Sequence, residues 1–357
     1  MSDCSYLDPI SPMSSDSQRI SHRILLEQSY IFTFDHLGQE YLRSCREMKE
    51  EIPPAVNWHL EAYCNYDCKF CYAPLLKQRE LPKITDNEGV RLIRDLADCG
   101  VEKINFVGGE AMLNRNIEQW IINAKLAGLT TSIVSNGTRM TRDWLERMRP
   151  HLDWLGLSID ASNDELHALM GRGLKGEINI GKSRHLERSI EVWGHAKEFG
   201  YGLKLNTVVT SVNADDDMSD LVSQLMPNRW KICRVLEIKG ENDGRVSPLL
   251  ISSNSFDEYV RRNTNPLEGK GGIEIVAEDN EDMLGSYAMI DPQGKVYTNL
   301  YGKYSYSRQS AIEIGFQQAW EQVMQGFSGS IFSNRGGLWD WDIPQGESGS
   351  LPILKGN

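Results

Sequence analysis

No stretch of roughly 18 consecutive apolar residues occurs anywhere in the chain. The N-terminal MSDCSYLDPISPMSSDSQR is polar and Ser-rich, with neither a signal-peptide apolar core nor an amphipathic anchor. The sequence therefore reads as that of a soluble, cytoplasmic protein that does not engage membranes. Positive charge is also scarce. Lys and Arg total 38 against 50 Asp and Glu, a net −12, which disfavours a nucleic-acid polymer as partner and requires any anionic ligand to find a local basic cluster. Cysteine is sparse and odd in number, which argues against a disulfide framework. Of the seven, Cys4, Cys45, Cys99 and Cys233 stand alone, while Cys64, Cys68 and Cys71 crowd together, as a metal site in a reducing compartment would have them. No internal repeat of fixed period is visible. What the chain does have is length and apolar content: 357 residues, 40% hydrophobic, are enough for one large α/β domain or two ordinary ones, and disorder is excluded as the main state.

The first 20 or so residues read as a disordered tail, 21–54 as a folded lead-in and 342–357 as a second tail. Between them, β-rich runs near 56–61, 102–107, 131–135, 153–159, 202–209 and 229–236 alternate with helical patterns near 86–98, 115–128, 141–149, 183–199 and 216–225. Such alternation with short connections predicts βα units on a parallel sheet. Six units over 55–248 predict an α/β fold built as an incomplete (βα)6 barrel. From about 250 the pattern loosens into a C-terminal extension, 249–341, with Asp291-Pro292-Gln293-Gly294 as a hairpin turn between two short strands. In βα folds the ligand site lies beyond the C-terminal ends of the strands, where chemistry is therefore expected.

Cys64-Asn-Tyr-Asp-Cys68-Lys-Phe-Cys71 begins three residues after the first expected strand. Three thiolates on one short loop suit either a structural zinc site, with His59 as the nearest fourth ligand, or a [4Fe–4S] cluster with one iron left open. Val107-Gly108-Gly109-Glu110 ends the second strand; glycines admit a ligand close to the backbone and a neighbouring acid can receive an ammonium. By contrast, Gly171-Arg172-Gly173-Leu174-Lys175-Gly176 fits G-x-G-x-x-G but follows a helical pattern where a dinucleotide site needs a strand. It reads as a loop presenting Arg172. Strand periodicity also places Lys103 with Asn105, Lys204 with Asn206 and Arg229 with Lys231 on shared faces. Helices covering those faces would bury unpaired charge at a cost of several kcal/mol, so an inward, ligand-facing orientation is expected. The four cations match the charge of a nucleoside triphosphate.

The Cys-x₃-Cys-x₂-Cys spacing, with Phe70 before the third cysteine, resembles the signature of the radical S-adenosylmethionine (SAM) superfamily. Within it, Glu102-Lys103-Ile104-Asn105-Phe106, Ile133-Val134-Ser135-Asn136-Gly137, Met170-Gly171-Arg172-Gly173, Lys204-Leu205-Asn206, Arg229-Trp230-Lys231 and Gly240-Glu241-Asn242 resemble the viperin family in order and approximate spacing. Without a membrane helix at its N-terminus, the chain is most similar to the prokaryotic members that act in antiviral defence. The resemblance implies a radical SAM partial barrel with a substrate-capping C-terminal region, a [4Fe–4S] cluster on Cys64, Cys68 and Cys71, and SAM as second cofactor. For SAM it implies contacts from Phe70, Gly108, Gly109, Glu110, Ser135, Asn136, Ser158 and Arg172; Ala111 stands where the family has proline. The implied substrate is a nucleoside triphosphate held by Asn57, Lys103, Lys204, Asn206, Arg229, Lys231 and, on a loosely matching loop, Lys303. Tyr287 corresponds to the tyrosine thought to return a hydrogen to the product radical. With no second cysteine group, an auxiliary cluster is not expected, and the electron would come from an external flavodoxin- or ferredoxin-type reductase. Trp339-Asp340-Trp341 matches the end through which animal viperins recruit iron–sulfur assembly machinery, though sixteen residues follow it here. Two other readings remain at this stage: a radical SAM enzyme for another nucleotide or a peptide, and a non-catalytic module with a structural metal loop.

Overall fold

The computed structural model describes residues 52–341 apart from Pro74 and Lys270. The two expected tails and nearly all of the lead-in lie outside the described residues. Six strands pair side by side in chain order, all parallel: β1 (Ala55–His59), β2 (Lys103–Val107), β3 (Thr130–Ser135), β4 (Trp154–Ser158), β5 (Gly202–Val209) and β6 (Arg229–Arg234). They coincide with the six expected runs. The connections carry α1 (Asp86–Asp98), α2 (Ile117–Leu126), α3 (Arg142–Met148), then α4 (Asp164–Leu169), α5 (Lys175–Ile178) and α6 (His185–Glu198) together, and α7 (Ser219–Leu225). A helix, α4, therefore precedes Gly171, and the glycine-rich match there is not a dinucleotide site.

The C-terminal extension adds to the same sheet at both edges. After α8 (Ser253–Thr264), β7 (Glu274–Glu278) pairs in parallel with β6. After α9 (Asn280–Met283), β8 (Met289–Ile290) pairs in parallel with β1 on its other side, followed by antiparallel β9 (Val296–Thr298) and β10 (Ser305–Tyr306). The strand order β10-β9-β8-β1-β2-β3-β4-β5-β6-β7 leaves β7 and β10 as edges, so the barrel is partial. The expected turn at 291–294 joins β8 to β9: Gly294 N–H donates to the Asp291 carbonyl, and the Asp291 carboxylate accepts the N–H groups of Gln293 and Lys295. Three short helices close the described chain: α10 (Ala311–Ile314), α11 (Phe316–Glu321) and α12 (Gly329–Asn334).

The period of two sorts the strands into two faces. Outward residues Val56, Trp58, Ile104, Phe106, Ile133, Leu155, Leu157, Leu203, Leu205, Trp230 and Ile232 are apolar and fully buried beneath the helices. Trp58 stacks on Trp120 of α2 at 4.6 Å between ring centres, and α1 starts in a capping box between Thr85 and Glu88. Inward residues are mostly polar: Asn57 and His59 on β1, Lys103 and Asn105 on β2, Ser158 on β4, Lys204 and Asn206 on β5, Arg229 and Lys231 on β6. All of them line one cavity of about 340 Å³. The apolar core lies outside the barrel and the chemistry inside it.

Candidate active site

The cysteine loop leaves the C-terminal end of β1 and is moored to the end of β2. Gly109 N–H donates to the Glu61 carbonyl (2.6 Å) and Glu110 N–H to the Tyr63 carbonyl (2.9 Å). A Cβ on Gly109 would stand 2.3 Å from the Tyr63 oxygen, so only glycine permits this docking. Tyr66, inside the loop, meets His185 Nδ1 through its hydroxyl (3.0 Å) and accepts from Arg188 (3.0 Å), fixing the loop to α6. Cys64, Cys68 and Cys71 all face the cavity. Burial pushes the Cys64 thiol up to about 12 and raises Cys68 and Cys71 as well. Such thiols become thiolates when a metal supplies positive charge. Three cysteines on the wall of one cavity fit the thiolate set that would hold an iron–sulfur cluster.

Next to the cysteines, Glu110 is buried and its carboxylate accepts from Ser135 Oγ (2.6 Å), Asn136 N–H (2.9 Å) and Met112 N–H (3.0 Å). It clamps the ends of β2 and β3 together, and lone-pair capacity remains on the oxygen that takes Asn136. The Asn136 amide reaches Asn65 Oδ1 (2.8 Å). Arg172 is buried against Asp160 (2.5 Å), with its guanidinium 5.1 Å from the centre of the Phe70 ring. Gly108, Gly109, Glu110, Ser135, Asn136, Ser158, Arg172 and Phe70 share the cysteine end of the cavity wall.

Cations gather at the other end, near the N-terminal ends of the strands. Lys204 donates to Ser132 Oγ (2.7 Å); burial, then Arg229 and Lys231, bring its ammonium down to about 7. Burial likewise lowers Lys103 well below the usual lysine range. Arg229 pairs with Glu274 and donates to the Gly336 carbonyl (2.5 Å). Lys231 pairs with Glu278 (2.8 Å) and hydrogen-bonds Tyr287. Between the two ends, His59 Nδ1 and Nε2, Asn105 Oδ1 and Asn206 Nδ2 are buried without a hydrogen-bond partner. Orphaned polar atoms on a cavity wall are what a polar ligand satisfies.

Lys303 is the exception among the residues singled out in the sequence. It is exposed, follows a 3₁₀ turn at the β9–β10 edge where Tyr301 adopts φ 61°, and is not part of the cavity wall. Its loop packs on the segment after β6, where the Lys239 N–H donates to the Gly302 carbonyl (2.8 Å). Sequence reasoning in turn missed Asn105 as a site residue, along with Glu278, Arg335 and Trp339. Arg335 and Glu278 form a buried ion pair at 2.8 Å. A signal was present for Asn105, which shares a strand face with Lys103; the others come from the loosely patterned C-terminal region.

A parallel partial barrel with a Cys-x₃-Cys-x₂-Cys loop at its C-terminal mouth defines the radical SAM class, and the Radical SAM superfamily model matches residues 62–225. Solved structures share the architecture: Streptococcus suis SuiB bound to S-adenosylmethionine aligns with a TM-score of 0.58 at 16% identity, over 90% of this chain and 79% of that one. Native anSMEcpe with bound AdoMet aligns at 0.60 and 13%, over 77% and 84%. Curated relatives are more specific. The S-adenosylmethionine-dependent nucleotide dehydratase of Flammeovirga pacifica is 37% identical over 81% of this chain and 97% of its own length. That of Psychrobacter lutiphocae is 33% identical over 78% and 93%, and RSAD2 of Danio rerio 30% over 81% and 78%. The chain belongs to the S-adenosylmethionine-dependent nucleotide dehydratases, the viperin-like family of radical SAM enzymes. Its cofactors are a [4Fe–4S] cluster and SAM.

Proposed function

We propose that this enzyme removes water from a nucleoside triphosphate, CTP, UTP or GTP, to give the 3′-deoxy-3′,4′-didehydro nucleotide, a chain terminator of viral RNA synthesis in antiviral defence. The observation that carries this reading is one cavity with three cysteines at one end and Lys103, Lys204, Arg229 and Lys231 at the other. When bound, the cluster and SAM supply a 5′-deoxyadenosyl radical that takes the 4′ hydrogen of the ribose.

The chain's own residues bind and orient. Cys64, Cys68 and Cys71 ligate the cluster. Phe70, Gly108, Gly109, Glu110, Ser135, Asn136, Ser158 and Arg172 hold SAM. The four cations hold the phosphates, while Asn57 and Asn206 face the sugar from β1 and β5. The leaving 3′ hydroxyl takes up one proton to become water, and one electron reduces the remaining nucleotide radical cation to the product; Tyr287, on the cavity wall with its hydroxyl donating to Glu278, supplies both. An external one-electron reductase of flavodoxin or ferredoxin type restores the tyrosine and feeds the cluster, and the enzyme works in the cytoplasm. No described helix is long and apolar enough to cross a membrane.

The test is to reduce the reconstituted enzyme anaerobically with SAM and each triphosphate in turn. A product lighter by one water, formed with 5′-deoxyadenosine, is the expected result. Release of 5′-deoxyadenosine with no dehydrated product from any triphosphate would assign the barrel to another substrate.

A further inference from the structure

Cations on β6 have carboxylate partners from β7, but Lys103 on β2 is compensated differently. Its Nζ lies 4.2 Å from the centre of the Trp339 ring and 5.1 Å from that of Trp341. Among the described residues it has no salt-bridge partner, and its charge is opposed by burial and then by Lys204, Arg229 and other cations. The Trp339 ring also receives the Arg229 guanidinium, 4.7 Å from its centre. One indole therefore serves two cations from two strands.

That indole is held firmly in place. Trp339 meets Trp154 edge to face at 4.5 Å. Trp154 Nε1–H donates to the Trp341 carbonyl (2.8 Å), and Arg229 donates to the Gly336 carbonyl. Trp154 itself lies against β5 where Gly202 leaves room; a Cβ there would stand 2.5 Å from the ring. Lys103, Trp154, Gly202 and Arg229 are the first residues of β2, β4, β5 and β6. The segment 336–341 thus crosses the N-terminal ends of the strands, and Trp339 lines the cavity at the end remote from the cysteines.

We propose that Trp339 is the floor of the polyphosphate site and the positioning residue for Lys103 and Arg229. An aromatic face attracts cations without adding formal charge. A carboxylate at the same place would neutralise the two groups and repel an incoming phosphate chain, as Glu274 and Glu278 already partly do on β6. The indole keeps both cations oriented and leaves their charge available to the ligand, while its bulk keeps water from entering beneath. This deepens the nucleoside triphosphate reading and rests on it.

The test compares W339F, W339L and W339A in the reconstituted full-length enzyme, with L338A at the exposed neighbouring side chain as control. Both W339L and W339A are expected to raise the KM for the triphosphate about tenfold, with kcat and the KM for SAM within about threefold. W339F and L338A stay close to the native enzyme. Leucine keeps apolar bulk without a π face, so the Leu-to-Phe contrast separates positioning of the cations from simple packing. Calorimetry with inorganic tripolyphosphate repeats the comparison without turnover: binding weakens in W339L and is retained in W339F. Equal tripolyphosphate affinity in W339L and W339F, absence of tripolyphosphate binding to the native enzyme, or a loss confined to kcat would overturn the proposal. Tripolyphosphate binding that follows this pattern in an enzyme that dehydrates no nucleotide would uphold the floor and reject the reaction.

Discussion

The Tyr287 hydroxyl donates to Glu278 Oε2 at 2.5 Å, joining β7 to the segment that enters β8, two strands that do not pair with each other. The same carboxylate takes Lys231 Nζ at 2.8 Å and Arg335 Nη1 at 2.8 Å, and the Arg335 guanidinium lies 4.0 Å from the centre of the Tyr287 ring. Burial works against the Glu278 charge, but Lys231 and Arg335 outweigh it and hold the group below the usual carboxylate range. One buried anion thus fixes a phosphate-end cation, the tyrosine assigned to hydrogen delivery, and the C-terminal segment carrying Arg335.

Replacing that anion, Glu278→Gln, leaves the largely buried Arg335 and the half-buried Lys231 with their charges uncompensated. Loss of one partner of a buried pair costs about 3–5 kcal/mol, to be read as a lower urea midpoint. Tyr287 also loses the acceptor that orients it. The expected kinetic signature is uncoupling: 5′-deoxyadenosine still forms, but the yield of dehydrated nucleotide per SAM cleaved falls. An unchanged ratio would show that Glu278 does not act through Tyr287.

Much of the barrel was readable from the sequence because its signal is local. β1, β2, the first half of β5 and the start of β6 alternate polar and apolar residues, and the helix patterns recur between the strands, so both the order of elements and the inward face of Lys103, Lys204 and Arg229 can be read from the sequence. The cysteine loop was readable for the same reason, since all its ligands lie within eight residues. The capping region was not. In β7, the sequence Glu-Ile-Val-Ala-Glu places glutamates at both ends of a five-residue edge strand, and only the folded barrel shows that they meet Arg229 and Lys231. Trp339 is far along the chain from Lys103, Trp154, Gly202 and Arg229, and no spacing rule links residues from four strands to a C-terminal segment. Lys303 is exposed and off the cavity wall, on a loop whose position depends on a contact with residues near 239, far away in the sequence.

Gly109→Ala should remove the cluster without touching a cysteine. The new methyl would press on the Tyr63 carbonyl and force apart the contacts that seat the cysteine loop on β2. Iron content after anaerobic reconstitution is expected to fall towards that of a Cys68→Ala variant, with far-ultraviolet circular dichroism little changed. Full iron loading in Gly109→Ala would mean that the loop tolerates displacement and that the close approach is incidental.

The phosphate end can be removed while the cluster is kept. Lys204→Ala combined with Arg229→Ala deletes two of the cations that face the cavity and shares no contact with the cysteine loop. Triphosphate turnover should drop by at least about 100-fold, the loss of two charge-assisted contacts at roughly 1.5–3 kcal/mol each. Iron content and the basal release of 5′-deoxyadenosine should stay near the native values. Persistence of full turnover would place the phosphates elsewhere.

Binding of the triphosphate should weaken as pH rises above neutrality. In the free enzyme Lys204 titrates near 7, because burial and then Arg229 and Lys231 disfavour its charge. A bound phosphate chain favours the ammonium and raises that value, so binding takes up a proton. Affinity is then fully present below about 7 and is lost as pH rises through the free-enzyme value, by at most about tenfold per pH unit. The window from about pH 7.5 to 9 isolates the effect, since the terminal phosphate, with a second pKa of about 6, no longer changes charge there. Calorimetric affinities across that window should fall steadily for the native enzyme. Lys204→Arg should flatten the profile, because a guanidinium stays charged throughout. An equally steep profile in the arginine variant would move the titration to another group.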